Sequence, residues 1–391
     1  MRDDIILEDT TLRDGEQAPG IAFSKKTKIE ILETLIGIGV GWIEVGIPAM
    51  GGEETETLKE MLERKYEARL VAWNRGIKED IAYSIALGFN AIHIGLPTSD
   101  IHLANSLQRD RSWVLKTASD LVKFAKDKGV FVSISAEDVG RTEISFLQEY
   151  ACAVEAAGAD RLRLSDTIGI LGPEEYARRI SSVVSVSKID PQCHCHNDFG
   201  LAVANTIAGL HAGARYFHVC VNAMGERAGM PDLAQTCMAL KHLYNIDVGI
   251  DTTGLTKLSA LVAKASHQVV SPWQPIVGRN VFAHESGIHA KGMLKDEKTF
   301  EPFNPEEVGG ERRYVIGKHS GRNVIKYSLQ QMGIDPEEEL LNPCLAAVRQ
   351  YSIDKGADLS SKQLRDVYNT LVANNINNHT VSHHHSARRS L

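Results

Sequence analysis

Between residues 5 and 243 the sequence alternates eight times, without a break, between a short apolar run of strand character and a longer amphipathic run of helical character. The strand-like runs fall at 5–7, 42–48, 69–73, 91–96, 130–136, 161–164, 192–196 and 216–221. The helical patterns between and after them fall at 24–38, 53–64, 78–87, 112–128, 143–157, 173–187, 201–212 and 232–243. Ser24 reads as the cap of the first helix, and Gly39 with Gly41 as its stop. Each helix must cross back over the sheet before the next strand can pair, which forces right-handed crossovers and parallel strands. Eight units in about 245 residues fit a closed (β/α)8 barrel of the TIM type better than an open doubly wound sheet. No Gly-x-Gly-x-x-Gly turn follows the first strand, which lowers the dinucleotide-binding alternative.

A closed barrel places chemistry where strands end and loops begin. Arg13, Asp14, Glu44, Asn74, Arg75, Glu137, Asp166, Thr167, His194, His196 and Asn222 all fall at such positions. Two stretches stand out, Asp9-Thr10-Thr11-Leu12-Arg13-Asp14-Gly15-Glu16-Gln17 and His194-Cys195-His196-Asn197-Asp198. Residues two apart on a strand point the same way, so His194 and His196 share a face. With Asp14 they offer the oxygen and imidazole donors of a divalent-metal site with open positions, and Asn197 and Asp198 are placed to orient the imidazoles. Arg13 is suited to polarising a carbonyl oxygen beside that metal, where the bland alternative is an ion pair with Asp14. Glu137 is a candidate for proton transfer rather than a mere loop cap. Thr167 reads equally as a turn residue or as a holder of a substrate carboxylate. The glycines of Gly225-Glu226-Arg227-Ala228-Gly229, after the eighth strand, would let backbone approach a ligand closely.

Beyond Leu243 the alternation stops. Residues 1–245 form the expected catalytic barrel, 246–330 a linker and lid, 331–373 a C-terminal helical part opened by Asp335 and Pro336, and 374–391 a disordered tail rich in Asn, Ser and His. His383-His384-His385 reads as part of that solvated tail. A formal charge of -7 without a basic block argues against nucleic acid as a partner. Six scattered cysteines form no disulfide or zinc framework. With no signal-peptide core and no apolar stretch of the roughly 18 residues a membrane span needs, a soluble, cytoplasmic protein is expected.

The two stretches with the candidate metal donors, the latter extending through Phe199-Gly200-Leu201-Ala202, together with Gly225-Glu226-Arg227-Ala228-Gly229 and His284-Glu285-Ser286-Gly287-Ile288-His289, resemble the homocitrate synthase and 2-isopropylmalate synthase family. These are acetyl-CoA-dependent Claisen enzymes on a TIM barrel. The likeness runs from about Ile6 to Tyr327, and four long motifs in order make it specific. Gly46-Ile47-Pro48-Ala49-Met50-Gly51, Ser99-Asp100-Ile101-His102-Leu103 and Arg109-Asp110-Arg111-Ser112-Trp113 are most similar to the homocitrate synthases that serve nitrogenase cofactor assembly. The C-terminal regulatory domain of the leucine-pathway enzymes is not expected.

The resemblance implies Asp14, His194 and His196 as ligands of magnesium, manganese or zinc, Arg13 on the keto oxygen, and Glu137 in proton transfer. It further implies Arg141 and Thr167 near substrate carboxylates, and a homodimer in which His284 and Tyr314 of a lid reach over the neighbouring barrel. Many relatives end the glycine-bearing segment with a metal-ligating asparagine; this chain has Met230, whose thioether is a poor ligand for a hard cation. The expected reaction is homocitrate synthesis from acetyl-CoA and 2-oxoglutarate. The rivals are 2-isopropylmalate or citramalate synthesis, carbon-carbon cleavage as in hydroxymethylglutaryl-CoA lyase, and a silent 2-oxo-acid-binding barrel.

Overall fold

The computed structural model describes residues 1–293 and 295–386, without the side chains of 290, 291 and 377–386. It divides into two compact units, Met1–Val270 and the chain from Ser271.

The first unit is a closed barrel of eight parallel strands in sequence order: β1 (Ile6–Asp9), β2 (Trp42–Gly46), β3 (Arg69–Arg75), β4 (Ala91–Gly95), β5 (Phe131–Glu137), β6 (Arg161–Asp166), β7 (Asp190–Cys195) and β8 (Tyr216–Val219). Closure is direct, with Ile6, Leu7, Glu8 and Asp9 of β1 in register with Tyr216, Phe217, His218 and Val219 of β8. The crossover helices are α1 (Lys25–Gly37), α2 (Gly52–Glu63), α3 (Lys78–Leu87), α4 (Arg111–Lys126), α5 (Ile144–Ala156), α6 (Pro173–Val184), α7 (Ala202–His211) and α8 (Leu233–Tyr244). Local chemistry starts several of them: Ser24, Asp110 and Asp232 each accept the backbone N–H of the third residue on, satisfying a donor the helix cannot.

Strand residues alternate between two environments. Ile92, Ile94, Ile134, Leu162, Leu164, Phe217 and Val219 are buried between strands and helices. Their neighbours Glu8, Glu44, His93, Ser133, Arg161, Arg163, Gln192 and His218 fill the interior and bond to one another. Such barrels are more often packed with branched apolar residues, and a charged interior is tolerable only when each charge has a partner. At the N-terminal end of the strands Arg161 is ringed by Trp42, Phe131 and Tyr216, its guanidinium carbon 4.8 to 5.5 Å from their ring centres. That plug closes the bottom of the barrel and leaves the opposite end for the site.

The first unit reaches past the expected boundary at 245. Helix α9 (Leu255–Ser266) belongs to it because Asn222, after β8, donates to the Ser259 carbonyl and accepts the Ser259 hydroxyl.

The second unit contains a two-stranded parallel sheet, β9 (Ala283–His284) with β10 (Arg313–Tyr314), and helices α10 (Gly287–Met293), α11 (Arg322–Gln331), α12 (Glu338–Lys355) and α13 (Ser361–Ser386). Val324, Ile325, Leu329, Leu341, Cys344, Val348 and Leu364 form its core. Two differences from expectation are local. The cap before α12 is Glu337 rather than Asp335. In the stretch expected to be a tail from Asn374, the backbone of α13 continues to Ser386, and residues 387–391 lie outside the described ones. No glycine or proline interrupts residues 361–386, and extending an anchored helix costs far less than nucleating one. The histidines at 383–385 lie on this backbone, with side chains outside the described ones. No helix among the described residues is long and apolar enough to cross a membrane.

Candidate active site

Chain folding past the end of β1 builds the first half of the site. The backbone turns after Thr10, with Arg13 N–H and Gly15 N–H both donating to the Thr10 carbonyl, and this aims Arg13 and Asp14 into the mouth. The second half comes from β7, whose last residues carry His194 and, just past the strand, His196. The structure brings Asp14, His194 and His196 together: one donor atom from each lies within 4.8 Å of the others, and all three side chains are buried. His194 Nε2 is 3.3 Å from His196 Nε2 and 3.7 Å from Asp14 Oδ2.

These groups suit a divalent cation. Burial pushes His194 and His196 below the ordinary imidazole range, so both are neutral with lone pairs to give. Burial works to raise the Asp14 carboxyl, but the Arg13 guanidinium, His196 and the Glu226 N–H together hold it below its ordinary value. The two Nε2 atoms face each other at 3.3 Å, close enough for one cation to take a lone pair from each, and the buried His196 Nδ1 has no hydrogen-bond partner among the described residues. Glu8, Glu44 and His218 also come close enough for a metal. Their oxygens, however, already face Arg161, Arg163 and Arg13.

Arg13 is held from three sides. Its Nε donates to Glu44 Oε2 at 2.5 Å, and its Nη1 donates to Asp14 Oδ2 at 2.7 Å and to Gln17 Oε1 at 3.0 Å. Burial works to lower the Arg13 pKa, but Glu44 and Asp14 raise it past its ordinary value, so the guanidinium is permanently charged. The same fork leaves Nη2 without a hydrogen bond among the described residues. With Asp14, Trp73, Glu137, Thr167, His194, His196 and Arg227, Arg13 lines a cavity of about 190 Å³ at the C-terminal end of the strands.

Glu137 lies half-buried on this wall, accepting from Ser135 Oγ at 3.3 Å, and burial raises its carboxyl above the ordinary range. Thr167 lines the cavity, but its hydroxyl is engaged, accepting Asp138 N–H at 2.8 Å. Arg141 does not line it: its Nε donates to Asp138 Oδ2 at 2.8 Å and its Nη2 lies 3.2 Å from His102 Nε2. Four strand-end residues serve the frame instead. Asn74 bonds the Ala72 and His93 carbonyls, Arg75 pairs with Asp80, Asp166 accepts the N–H groups of Ile170 and Leu171, and Asn222 anchors α9.

The glycine-bearing loop after β8 closes the wall. Gly229 has φ +90° and a Cβ there would stand 1.9 Å from the Ala223 carbonyl oxygen. Arg227 of this loop ties Asp198 and the Thr167 carbonyl together. Met230 is fully buried, and a Cβ on Gly225 would be 2.9 Å from Met230 Cγ and 3.2 Å from Asp14 Oδ1. Met230 and Asp14 thus both flank the Gly225 backbone.

His284 and Tyr314 belong to the second unit, where they are register partners with ring centres 6.4 Å apart. His284 Nε2 lies 3.0 Å from Glu301 Oε1, and Arg312 fixes that carboxylate with a 2.6 Å bond to Oε2. A carboxylate only accepts, so the contact orients His284 with Nε2–H toward Glu301 and leaves Nδ1, which has no hydrogen bond among the described residues, as the base.

Strand-end reasoning missed Glu8, His93, Arg161, Arg163 and His218. The signal was present as polar residues at every second position inside apolar strands, as in Ile92-His93-Ile94, Arg161-Leu162-Arg163 and Phe217-His218-Val219.

Comparison with known proteins bears on the chain as a whole. A family model described as HMGL-like matches residues 4–262, and one described as homocitrate synthase post-HMGL domain-like matches residues 276–357. The chain is 63% identical to 2-phosphonomethylmalate synthase of Streptomyces rubellomurinus over 95% of this chain and 100% of that protein. It is 44% identical to homocitrate synthase 1 of a Nostoc species, over 92% of this chain and 96% of that one. Among solved structures, the HMG-CoA lyase of Bacillus subtilis superposes with a TM-score of 0.62 at 15% identity, over 69% of this chain and 96% of that one, a likeness of fold.

Proposed function

We propose a reaction for this chain on one premise: it belongs to the HMGL-like family, in the branch of the homocitrate and 2-isopropylmalate synthases. On that premise it is an acetyl-CoA-dependent synthase that condenses the acetyl group with a 2-oxo acid. The products are a 2-substituted malate and free CoA. The observation that carries this reading is the cavity in which Asp14, His194 and His196 converge beside the uncommitted Nη2 of Arg13.

Asp14, His194 and His196 are the residues that would hold a divalent metal, which supplies Lewis-acid polarisation to a 2-oxo carbonyl. Arg13, locked by Glu44, Asp14 and Gln17, presents Nη2–H groups to the keto oxygen, and these bonds strengthen as that oxygen becomes an alkoxide. His284, oriented by Glu301, is assigned removal of the acetyl methyl proton through Nδ1, with Tyr314 beside it. Glu137, whose burial favours the protonated carboxyl, is assigned as the group that relays that proton. We assign His284 and Tyr314 to the barrel mouth of a partner subunit, which makes the working unit a homodimer. Thr167 and Arg141 are placed near the acceptor's carboxylates. For Arg141 this requires release from Asp138 on substrate binding. Water then cleaves the thioester and CoA leaves as the thiol.

The 63% identity over 95% of the chain puts 2-phosphonomethylmalate first among the products. Disconnecting that malate at the bond to the acetyl-derived carbon leaves a pyruvate with a phosphonate on its methyl carbon. Homocitrate, made from 2-oxoglutarate, is the second reading, favoured by the motifs that resemble the nitrogen-fixation enzymes and by the 44% relative. Both acceptors carry an acidic group at the far end. CoA-thiol release with added manganese or magnesium decides between them, using 3-phosphonopyruvate, 2-oxoglutarate, 2-oxoisovalerate and pyruvate as acceptors. The highest kcat/KM with 3-phosphonopyruvate is the expected result, a lead for 2-oxoglutarate hands the assignment to homocitrate, and no thiol release with any acceptor overturns both.

A further inference from the structure

Behind the donor set, toward the barrel interior, His194 is part of a longer line of contacts. His194 Nδ1 lies 2.9 Å from His218 Nδ1, and His218 Nε2 lies 3.0 Å from Glu8 Oε1. Glu8 and His218 are fully buried, and neither was needed for the reaction outlined above.

Two imidazole nitrogens 2.9 Å apart need one proton between them, so one ring donates and the other accepts. Glu8 decides which. Its Oε2 receives Arg161 Nη1–H, and Arg163 Nη2 approaches Oε1 at 3.5 Å, so it sits among cations as a carboxylate. The ion-pair network here joins three guanidinium groups (Arg13, Arg161 and Arg163) to three carboxylates (Glu8, Glu44 and Asp14), a pairing in which no imidazole is needed as a counter-charge. A carboxylate can only accept, so His218 carries its proton on Nε2 and gives that bond to Glu8. The bare Nδ1 of His218 then accepts, and His194 must carry its own proton on Nδ1. This leaves His194 Nε2 bare, on the side of the ring that faces His196 Nε2 and Asp14 Oδ2.

We infer that Glu8 and His218 form a positioning relay that fixes His194 in the tautomer presenting a bare Nε2 to a divalent cation. The inference rests on the metal reading of Asp14, His194 and His196, and adds to it two residues that touch neither metal nor substrate. The relay explains why a barrel interior keeps a charged layer directly under its mouth. An apolar residue at position 218 would leave the His194 tautomer to chance, and residues that orient metal-ligating histidines commonly contribute about 10–100-fold to affinity.

Glu8→Gln tests the relay by reversing it. Arg161 is the closer of the two guanidinium groups on Glu8 and has no acceptor, so the new amide turns its oxygen to Arg161 and its NH2 toward His218 Nε2, while Arg163 Nη2 keeps its 2.7 Å bond to Glu44. His218 then moves its proton to Nδ1, and His194 is driven to the Nε2–H form. Imidazole-15N NMR of the metal-free protein reads the tautomer directly, with His194 assigned by its loss in His194→Gln, and manganese(II) titration of the same protein reads affinity. Wild type should show Nδ1–H at His194. Glu8→Gln should show Nε2–H and bind manganese on the order of 10–100-fold more weakly. Nε2–H at His194 in the wild type, or unchanged tautomer and affinity in Glu8→Gln, overturns the relay. Should Glu8→Gln fail to fold, His218→Asn and His218→Leu replace it. The asparagine oxygen can stand in for Nδ1 as acceptor, so it should bind manganese more tightly than the leucine variant, and equal affinities overturn the relay. Failure of the metal reading looks different: wild type and Asp14→Asn bind manganese equally weakly, while His194 still reads Nδ1–H.

Discussion

Replacing Arg13 by lysine keeps the charge and removes the fork. The guanidinium spends Nε on Glu44 and Nη1 on Asp14 and Gln17, and Nη2 is what remains for an oxygen in the cavity. A lysine ammonium is a single point with three donors on a shorter reach. To hold Glu44 and Asp14, both buried carboxylates, it must stay near the position of Nε, leaving nothing where Nη2 stood. Loss of one preorganised donor to a developing oxyanion costs about 2.7–4 kcal/mol, or about 10²–10³-fold in kcat. The ground-state carbonyl is a weaker acceptor than the alkoxide, so KM should change much less. CoA-thiol release under saturating acceptor and manganese measures kcat, and a metal titration in parallel shows whether Asp14 still serves. A kcat within about threefold of wild type, with the metal bound, would refute the role given to Nη2.

Three further perturbations have defined outcomes. Asp14→Asn removes the one anionic donor of the set, so manganese affinity should fall by more than the roughly 10–100-fold that a supporting residue contributes; titration of the metal-free protein checks this. Gly229→Ala forces a Cβ to 1.9 Å from the Ala223 oxygen at φ +90°, which should destabilise the barrel by about 1–3 kcal/mol in thermal unfolding and slacken the loop that carries Arg227. Asp9 is buried, and burial pushes its carboxyl up to about 7 against the opposing bonds from Thr11. Between its ordinary value near 4 and 7 the unfolded chain gives up a proton that the folded one keeps, so this residue makes stability fall as pH rises through that window. Asp9→Asn should flatten that dependence by at most a few kcal/mol, on the order of 1.4 kcal/mol per pH unit, as read by denaturant unfolding at pH 5 and pH 8. An unchanged slope would mean that Asp9 is ionised in the folded protein.

Much of the barrel was written locally. Periods of 2 and 3.6 placed all eight strands and eight crossover helices within a few residues of where they lie, because each depends on which side chains one short segment must bury. The positions of Asp14, His194 and His196 at strand ends followed from the same pattern. The fates of Asn74, Arg75, Asp166 and Asn222 did not: a polar residue at a strand end can face the cavity or bond the frame, and only its neighbours in space decide. The boundary at 270 rather than 245 has the same origin, since α9 joins the barrel through Asn222, 37 residues before Ser259.

Sequence alone therefore determined the architecture and the donors available at its mouth, through periodicity and strand ends that need no knowledge of distant partners. Which charge meets which was decided by closure of the barrel. When β1 pairs with β8, Glu8 comes to His218 across 210 residues of chain, and Arg161 and Arg163 of β6 come to Glu8 and Glu44. Those pairings make a charged interior stable, because a buried ion is tolerated only beside its counter-ion, and no local pattern specifies a counter-ion that far along the chain.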